Sequence, residues 1–180
     1  MPANRMKVSE IKKKEELIKA AQQLFITDGY EEASMSKIAK AANVAPNTLY
    51  WYFHDKDELL IAVLDNLLDE HQSQLITIIS QPFSLQLVWL VENLQKLSRL
   101  VSTVHDRCQK SATINTWHQN FHHHLEQLLS YQIQKLELDI QEKESKFKIV
   151  SYTIEGLITH QSDPEEIRRV CDVLSLFFLN

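Results

Sequence analysis

The chain has 180 residues, 44 % of them hydrophobic and 24 % charged, and only two are glycine, Gly29 and Gly156. Phosphate-binding loops, G-x-G-x-x-G dinucleotide turns and tight β-hairpins need glycine where φ is positive or the backbone approaches a ligand closely, so the composition excludes them. No apolar run reaches the roughly 18 residues that cross a bilayer. No apolar signal core follows Met1-Pro2-Ala3-Asn4-Arg5, and Cys108 and Cys171 form no C-x-x-C pair. A cytoplasmic protein with reduced cysteines, no membrane partner and no cofactor is the expectation.

The formal net charge of −5 is unevenly spread. Residues 1–56 hold nine Lys/Arg against seven Asp/Glu, net +2, and residues 57–180 hold ten against seventeen, net −7. Such asymmetry predicts one part that meets an anion and one that does not.

From about Ser9, the apolar positions Leu17, Ile18, Ala21, Leu24 and Phe25 recur with helical period, and Gly29 follows as a left-handed C-cap. Ser34 is a good N-cap for a short second helix carrying Met35, Ile38, Ala39 and Ala42. Asn43 suits a left-handed turn, and Pro46 opens a third helix that runs through Phe53. Asp55 and Glu58 read as a capping box for a fourth helix with the stripe Leu59, Leu60, Val63, Leu64, Leu67, Leu68, Leu75 and Ile78, ending before Pro82. A fifth helix is expected from Ser84, with Leu87, Val91, Leu94, Leu97, Val101 and Val104 on one side, and a shorter piece over about 106–113. Trp117, Phe121, Leu125, Leu128, Ile133 and Leu136 then define a long helix that ends between Leu138 and Glu144. Two last helices are predicted over about 146–160 and 164–179, the second capped by Asp163 and started by Pro164. No strand pattern or repeat is visible, so the expected fold is all-α, with about nine helices.

Helices two and three, short and joined by a tight turn, match the helix-turn-helix pattern of DNA readers. The outward side of helix three would offer Asn47, Thr48, Trp51 and Tyr52 to a major groove. Asparagine can pair with an adenine edge and threonine with a thymine methyl or a phosphate. The hydroxyls of Tyr50 and Tyr52, and Lys56 at the start of helix four, suit phosphate oxygens. Pro46 of helix three, with Ser36 and Lys37 of helix two, completes the DNA-facing set. The basic stretch Arg5, Lys7, Lys12, Lys13 and Lys14 is either a solvated helix face or an arm along phosphates.

Three segments carry a resemblance: Ala20-Ala21-x-x-Leu24-Phe25-x-x-x-Gly29-Tyr30, Ser34-Met35-x-x-Ile38-Ala39-x-x-Ala42-x-Val44, and Thr48-Leu49-Tyr50-Trp51-Tyr52-Phe53-x-x-Lys56-x-x-Leu59. Together they resemble the DNA-binding domain of TetR-family transcriptional regulators. Two departures stand out: Asn43 occupies a turn position usually held by glycine, and Ala45 replaces the serine often found before helix three. The resemblance implies a helix-turn-helix domain over 1–54 and a larger helical ligand-binding and dimerisation domain over 55–180. It further implies a homodimeric repressor, not an enzyme, that binds a palindromic double-stranded operator and is released by a small-molecule effector.

In the larger part, Trp89, Trp117, Phe121 and His122 are candidates to line the effector site, with simple core packing as the alternative. The Ile154, Leu157, Ile158 stripe of the penultimate helix and Val170, Leu174, Phe177 and Phe178 of the last are the expected dimer face, where Gly156 would permit close approach. His118 and His122 stand one helical turn apart, a chelating spacing. Gln119 occupies the place a zinc-protease glutamate would take, and a third ligand would have to come from another helix. No metal is therefore expected. An all-α metal-binding or enzymatic bundle built on His118 and His122 is the competing class.

Overall fold

The computed structural model describes residues 2–133 and 139–179, with side chains from position 9 onward except at 73, 128–133, 140 and 179. Among the described residues it is all-helical: α1 (Pro2–Thr27), α2 (Met35–Ala41), α3 (Pro46–Tyr52), α4 (Lys56–Ile78), α5 (Phe83–Lys96), α6 (Ser98–Cys108), α7 (Ala112–Ile133), α8 (Ile140–Thr159) and α9 (Pro164–Leu179). None of these helices is long and apolar enough to cross a membrane. The chain forms two compact units. The first runs to His71 and adds Ser102–Trp117; the second holds Gln72–Val101 and the chain from His118 onward.

In the first unit the helical stripe of α1 buries Leu17, Ala21 and Phe25, and α2 contributes Ile38 and Ala39, α3 Leu49, and α4 Leu59, Leu60 and Val63, all fully buried. Each large apolar side chain so buried contributes about 1.5–3 kcal/mol. A polar triad adds specificity between α1 and α4, where Asn66 donates to Gln22 and Glu70, each at 2.9 Å.

Helix ends follow the local chemistry. Gly29 takes φ +91° after α1. Ser34 caps α2 by accepting from the Lys37 N–H, whereas Ala45 gives α3 no side-chain cap and Pro46 stands in its first turn. At the end of α2, the Val44 N–H reaches the Ala39 carbonyl at 2.9 Å and the Asn43 N–H reaches the Lys40 carbonyl at 3.1 Å. With Asn43 at φ +53° this is a Schellman ending without glycine. α8 stops the same way on Gln161, φ +50°, with bonds from Ser162 to Leu157 and from Gln161 to Ile158.

The second unit packs α5 against α9 and α8, and α8 against α9. Its core holds Phe83, Leu87, Val91, Val150, Ile154, Ile158, Ile167, Cys171 and Phe178, with the Phe83 and Phe178 rings stacked at 5.0 Å. Asp163 accepts from the Glu165 and Glu166 N–H groups to start α9. At its other end, Lys146 donates to the Phe177 and Phe178 carbonyls. That cation satisfies carbonyls left open by the last turn.

Three boundaries differ from the sequence reading. The helix expected from Ser84 through Val104 breaks at Leu97, whose N–H turns back to the Leu94 carbonyl at 3.0 Å, and the next helix runs to Cys108 in place of a piece over 106–113. No glycine or proline marks that break. α8 begins at Ile140, earlier than 146, because Asp139 and Glu142 form a reciprocal capping box. At α4 the box is altered: Asp55 accepts from the Glu58 N–H at 2.8 Å, but the Glu58 carboxylate accepts from the His54 N–H, at 2.6 Å. The expected core position Leu136 lies outside the described residues, as do the side chains of Leu128 and Ile133.

Asn43→Gly should leave stability unchanged or slightly raised, while Asn43→Val should lose about 1–2 kcal/mol by forcing a branched residue into the left-handed region. Urea unfolding of the two variants beside the parent checks this.

Candidate nucleic-acid interface

The α2–α3 pair places two opposite faces on α3. Leu49 and Phe53, one turn apart, are buried against the headpiece core. Pro46, Asn47, Tyr50 and Trp51 form the outward face, with Tyr50 52 % and Trp51 69 % exposed. So large an exposed aromatic surface is unusual on a seven-residue helix. The Trp51 and Tyr52 rings meet edge to face at 4.6 Å, which restrains both rotamers. Thr48 and Tyr52 are half-buried flanks of this face. On α2, Ser36, Lys37 and Lys40 are exposed. Lys37 is also paired with Asp28 at 2.7 Å, and its hydrogen bond lowers the Asp28 carboxyl below the usual range. Lys40 is a residue the sequence reading missed; its spacing of three and four from Lys37 and Ser36 was the available signal.

Two surface concavities bring the candidates together. One is lined by Ser34, Met35, Ser36, Tyr50, Asp55 and Lys56. The other is lined by Ser9, Glu10, Lys12, Lys13, Glu16 and Tyr52, which joins part of the basic stretch of α1 to helix three. Lys14 instead lies over the Phe53 ring at 5.5 Å. The side chains of Arg5 and Lys7 lie outside the described residues. Hydroxyls and ammonium groups around such a hollow have the chemistry to hold a phosphate.

Lys56 contributes differently from the sequence reading. Its ammonium donates to the Tyr30 carbonyl at 2.8 Å and sits over the Tyr30 ring at 4.1 Å, so its charge is directed into the α1–α2 connector. Burial lowers its pKa from the usual lysine value. Next to it, Asp57 accepts the Tyr30 phenol hydrogen and pairs with Arg107 of α6: Nη2 donates to Oδ2 at 2.7 Å. Arg107 Nε lies 2.7 Å from Oδ1 without the alignment of a hydrogen bond. The Arg107 guanidinium also covers the Tyr30 ring at 5.1 Å. Burial and the Asp57 carboxylate both push the Tyr30 phenol well above the ordinary tyrosine range. Burial opposes ionisation of Asp57, yet hydrogen bonds from Arg107, Tyr30 and Ser111 outweigh it and hold its pKa below the usual carboxylate value.

Other candidates separate. Trp117 belongs to the first unit, where its indole N–H donates to Asp65 at 2.8 Å; Trp89, Phe121 and His122 belong to the second. The Phe121 and His122 rings are 5.9 Å apart. The expected dimer face needs correction. Ile154, Leu157, Ile158, Leu174 and Phe178 are buried within the chain's own core, and Val170 packs against it. Phe177 stays exposed, and the outward apolar stripe is Ile149 and Tyr152 on α8 with Val173 and Leu176 on α9. α8 and α9 each carry two apolar stripes, and the more complete one in the sequence is the inner. Burial raises the thiol pKa of Cys108, and that of Cys171 to about 11, so neither is an activated nucleophile.

A folded-state pKa below the unfolded value near 3.9 means Asp57 stabilises the fold above that pH and loses its effect as pH falls through the lower, folded value. Asp57→Asn should cost about 2–3 kcal/mol at pH 7 and flatten the acid limb of stability, measured by urea unfolding between pH 3 and 7.

Residues 17–63 match the family model for bacterial regulatory proteins of the tetR family. That span runs from the middle of α1 through α2 and α3 into the first third of α4. Among curated relatives, the transcriptional regulator HbdR of Aromatoleum sp. is 35 % identical over 63 residues, a match covering 35 % of this chain and 28 % of that protein. Among solved structures, a transcriptional regulator from Rhodococcus sp. superposes with a TM-score of 0.73 at 19 % identity, covering 92 % of this chain and 95 % of that one. The regulator FadR of Bacillus subtilis, solved with stearoyl-CoA, gives 0.59 at 20 % identity over 92 % and 97 %. These two likenesses show the fold over nearly the whole length, and residues 17–63, about a quarter of the chain, match the tetR family of bacterial regulatory proteins.

Proposed function

We propose that the chain is a homodimeric transcriptional repressor that reads a palindromic operator with α3 and leaves it when a small molecule binds the second unit. The observation that carries this reading is the outward face Pro46, Asn47, Tyr50 and Trp51 on a helix whose other face is locked into the core. Asn47 reads a base edge, Tyr50 and Ser36 bind phosphate, and Lys37 and Lys40 add charge. Asp55 and Lys56 set the start of α4 behind them.

Dimerisation places two α3 helices about 34–36 Å apart in successive major grooves. The stripe Ile149, Tyr152, Val173, Leu176 and Phe177 is the surface a second copy covers in this reading. A Cβ at Gly156 would meet nothing within 4 Å, so its smoothness serves the outside of the protomer. The effector is taken by the second unit, with Phe121, His122 and Trp89 as its candidate contacts. The chain passes between units inside α4, α6 and α7, so a ligand-driven shift of α6 reaches Asp57 through Arg107. A coupling of about 1–3 kcal/mol is enough for release.

Gel shifts at low salt with DNA flanking the chain's own gene test the reading. Sequence-specific binding is expected, with Asn47→Ala losing about 1–3 kcal/mol and relaxing preference at one base position. Equal affinity for every duplex would contradict it. Leu176→Asp should convert dimer to monomer in light scattering while leaving far-ultraviolet circular dichroism unchanged; a monomeric parent protein would sink the dimer assignment.

A further inference from the structure

The histidines of α7 and one carboxylate of α8 form a juxtaposition that DNA reading does not use. His118 Nε2 and His122 Nε2 are 3.0 Å apart, and His122 Nε2 is 3.8 Å from Glu155 Oε1. All three residues belong to the second unit and are half-buried. In a tetrahedral zinc site with bonds of about 2.0–2.1 Å, neighbouring ligand atoms are about 3.3 Å apart. The His118–His122 and His122–Glu155 separations lie on either side of that edge, with His122 common to both.

The scaffold favours convergence. α7 presents its two imidazoles four residues apart, on one side of the helix, and α8 presents Ser151 and Glu155 with the same spacing. Ser151 Oγ lies 3.4 Å from His122 Nδ1, the nitrogen that must carry the proton when Nε2 binds a metal. Accepting that N–H fixes the ring and tautomer, as outer-shell partners of metal-bound histidines do. In the metal-free pair one Nε2–H donates to the other Nε2 at 3.0 Å, and a dication would displace that proton and take both nitrogens as ligands.

We infer that His118, His122 and Glu155 form a binding site for a first-row transition-metal dication of the Zn²⁺ class, with a fourth position open to water or to a ligand. Two imidazoles and one carboxylate favour borderline ions over Mg²⁺ or Ca²⁺. The site stands on its own geometry and does not depend on the DNA-binding reading. His123 and His124 take no part: His123 faces Glu126 at 3.8 Å, and His124 bonds the Asn120 carbonyl of its own helix at 2.7 Å.

Calorimetric titration of the tag-free, chelator-treated chain with Zn²⁺, paralleled by the visible absorption of Co²⁺, tests the assignment. One ion per chain is expected, with tetrahedral-type Co²⁺ bands. His122→Ala should abolish stoichiometric uptake, Glu155→Gln should weaken it at least about tenfold and shift the Co²⁺ bands, and His124→Ala should bind like the parent. Circular dichroism in chelator confirms that each variant is folded; if His122→Ala does not fold, Glu155→Gln decides. No uptake by the parent, or parent-like affinity and bands in Glu155→Gln, overturns the site.

Discussion

Asp57 accepts from the Tyr30 phenol, the Arg107 guanidinium and the Ser111 hydroxyl at the point where α4 begins. Its neighbour Lys56 closes the same group from the other side by bonding the Tyr30 carbonyl and covering its ring. Tyr30 is 4 % exposed and packs against Phe25 of α1 at 5.4 Å. The connector before α2, the first turn of α4 and the end of α6 are thereby fixed to one another by charged hydrogen bonds, and α1 joins them through the Phe25–Tyr30 ring contact. Removing one partner would leave the others unsatisfied, which is costlier than the bonds are individually worth. α3 has little of its own to hold it: seven residues, no side-chain cap, and two buried anchors. Its orientation is set by those two anchors and by its packing against α2.

The release proposed above would act through that arrangement. Arg107 belongs to a helix that the chain enters from the second unit, and the residue it grips opens the helix that leaves the DNA reader. Asn43 is the complementary constraint. Its left-handed backbone sets the α2–α3 turn, and the two Schellman bonds distribute that constraint over Ala39, Lys40 and Val44.

Much of this was legible in the sequence because the signals are local. Gly29, Ser34, Asn43, Pro46 and Asp163 each act within a few residues of their own position, and each ends or starts a helix as its chemistry requires. The exposed Tyr50 and Trp51 beside buried Leu49 and Phe53 follow from helical period alone. The break at Leu97 carried no breaker residue. Arg107 and Asp57 stand fifty positions apart, so nothing in either neighbourhood announces the pair. Nor could periodicity say which of two apolar stripes on α8 and α9 faces inward: Ile154 and Phe178 went to the core, leaving Tyr152 and Phe177 outside. The histidine spacing on α7 was visible, whereas Glu155 entered only through the packing of α8 near His122.

In the proposed dimer, two copies of this chain set their α3 faces into one duplex. Hydroxyl-radical footprinting on DNA flanking the gene measures it directly. Two protected tracts related by dyad symmetry are expected, their centres about 34–36 Å apart along the helix axis. A single tract, or uniform protection that follows no sequence, would contradict it.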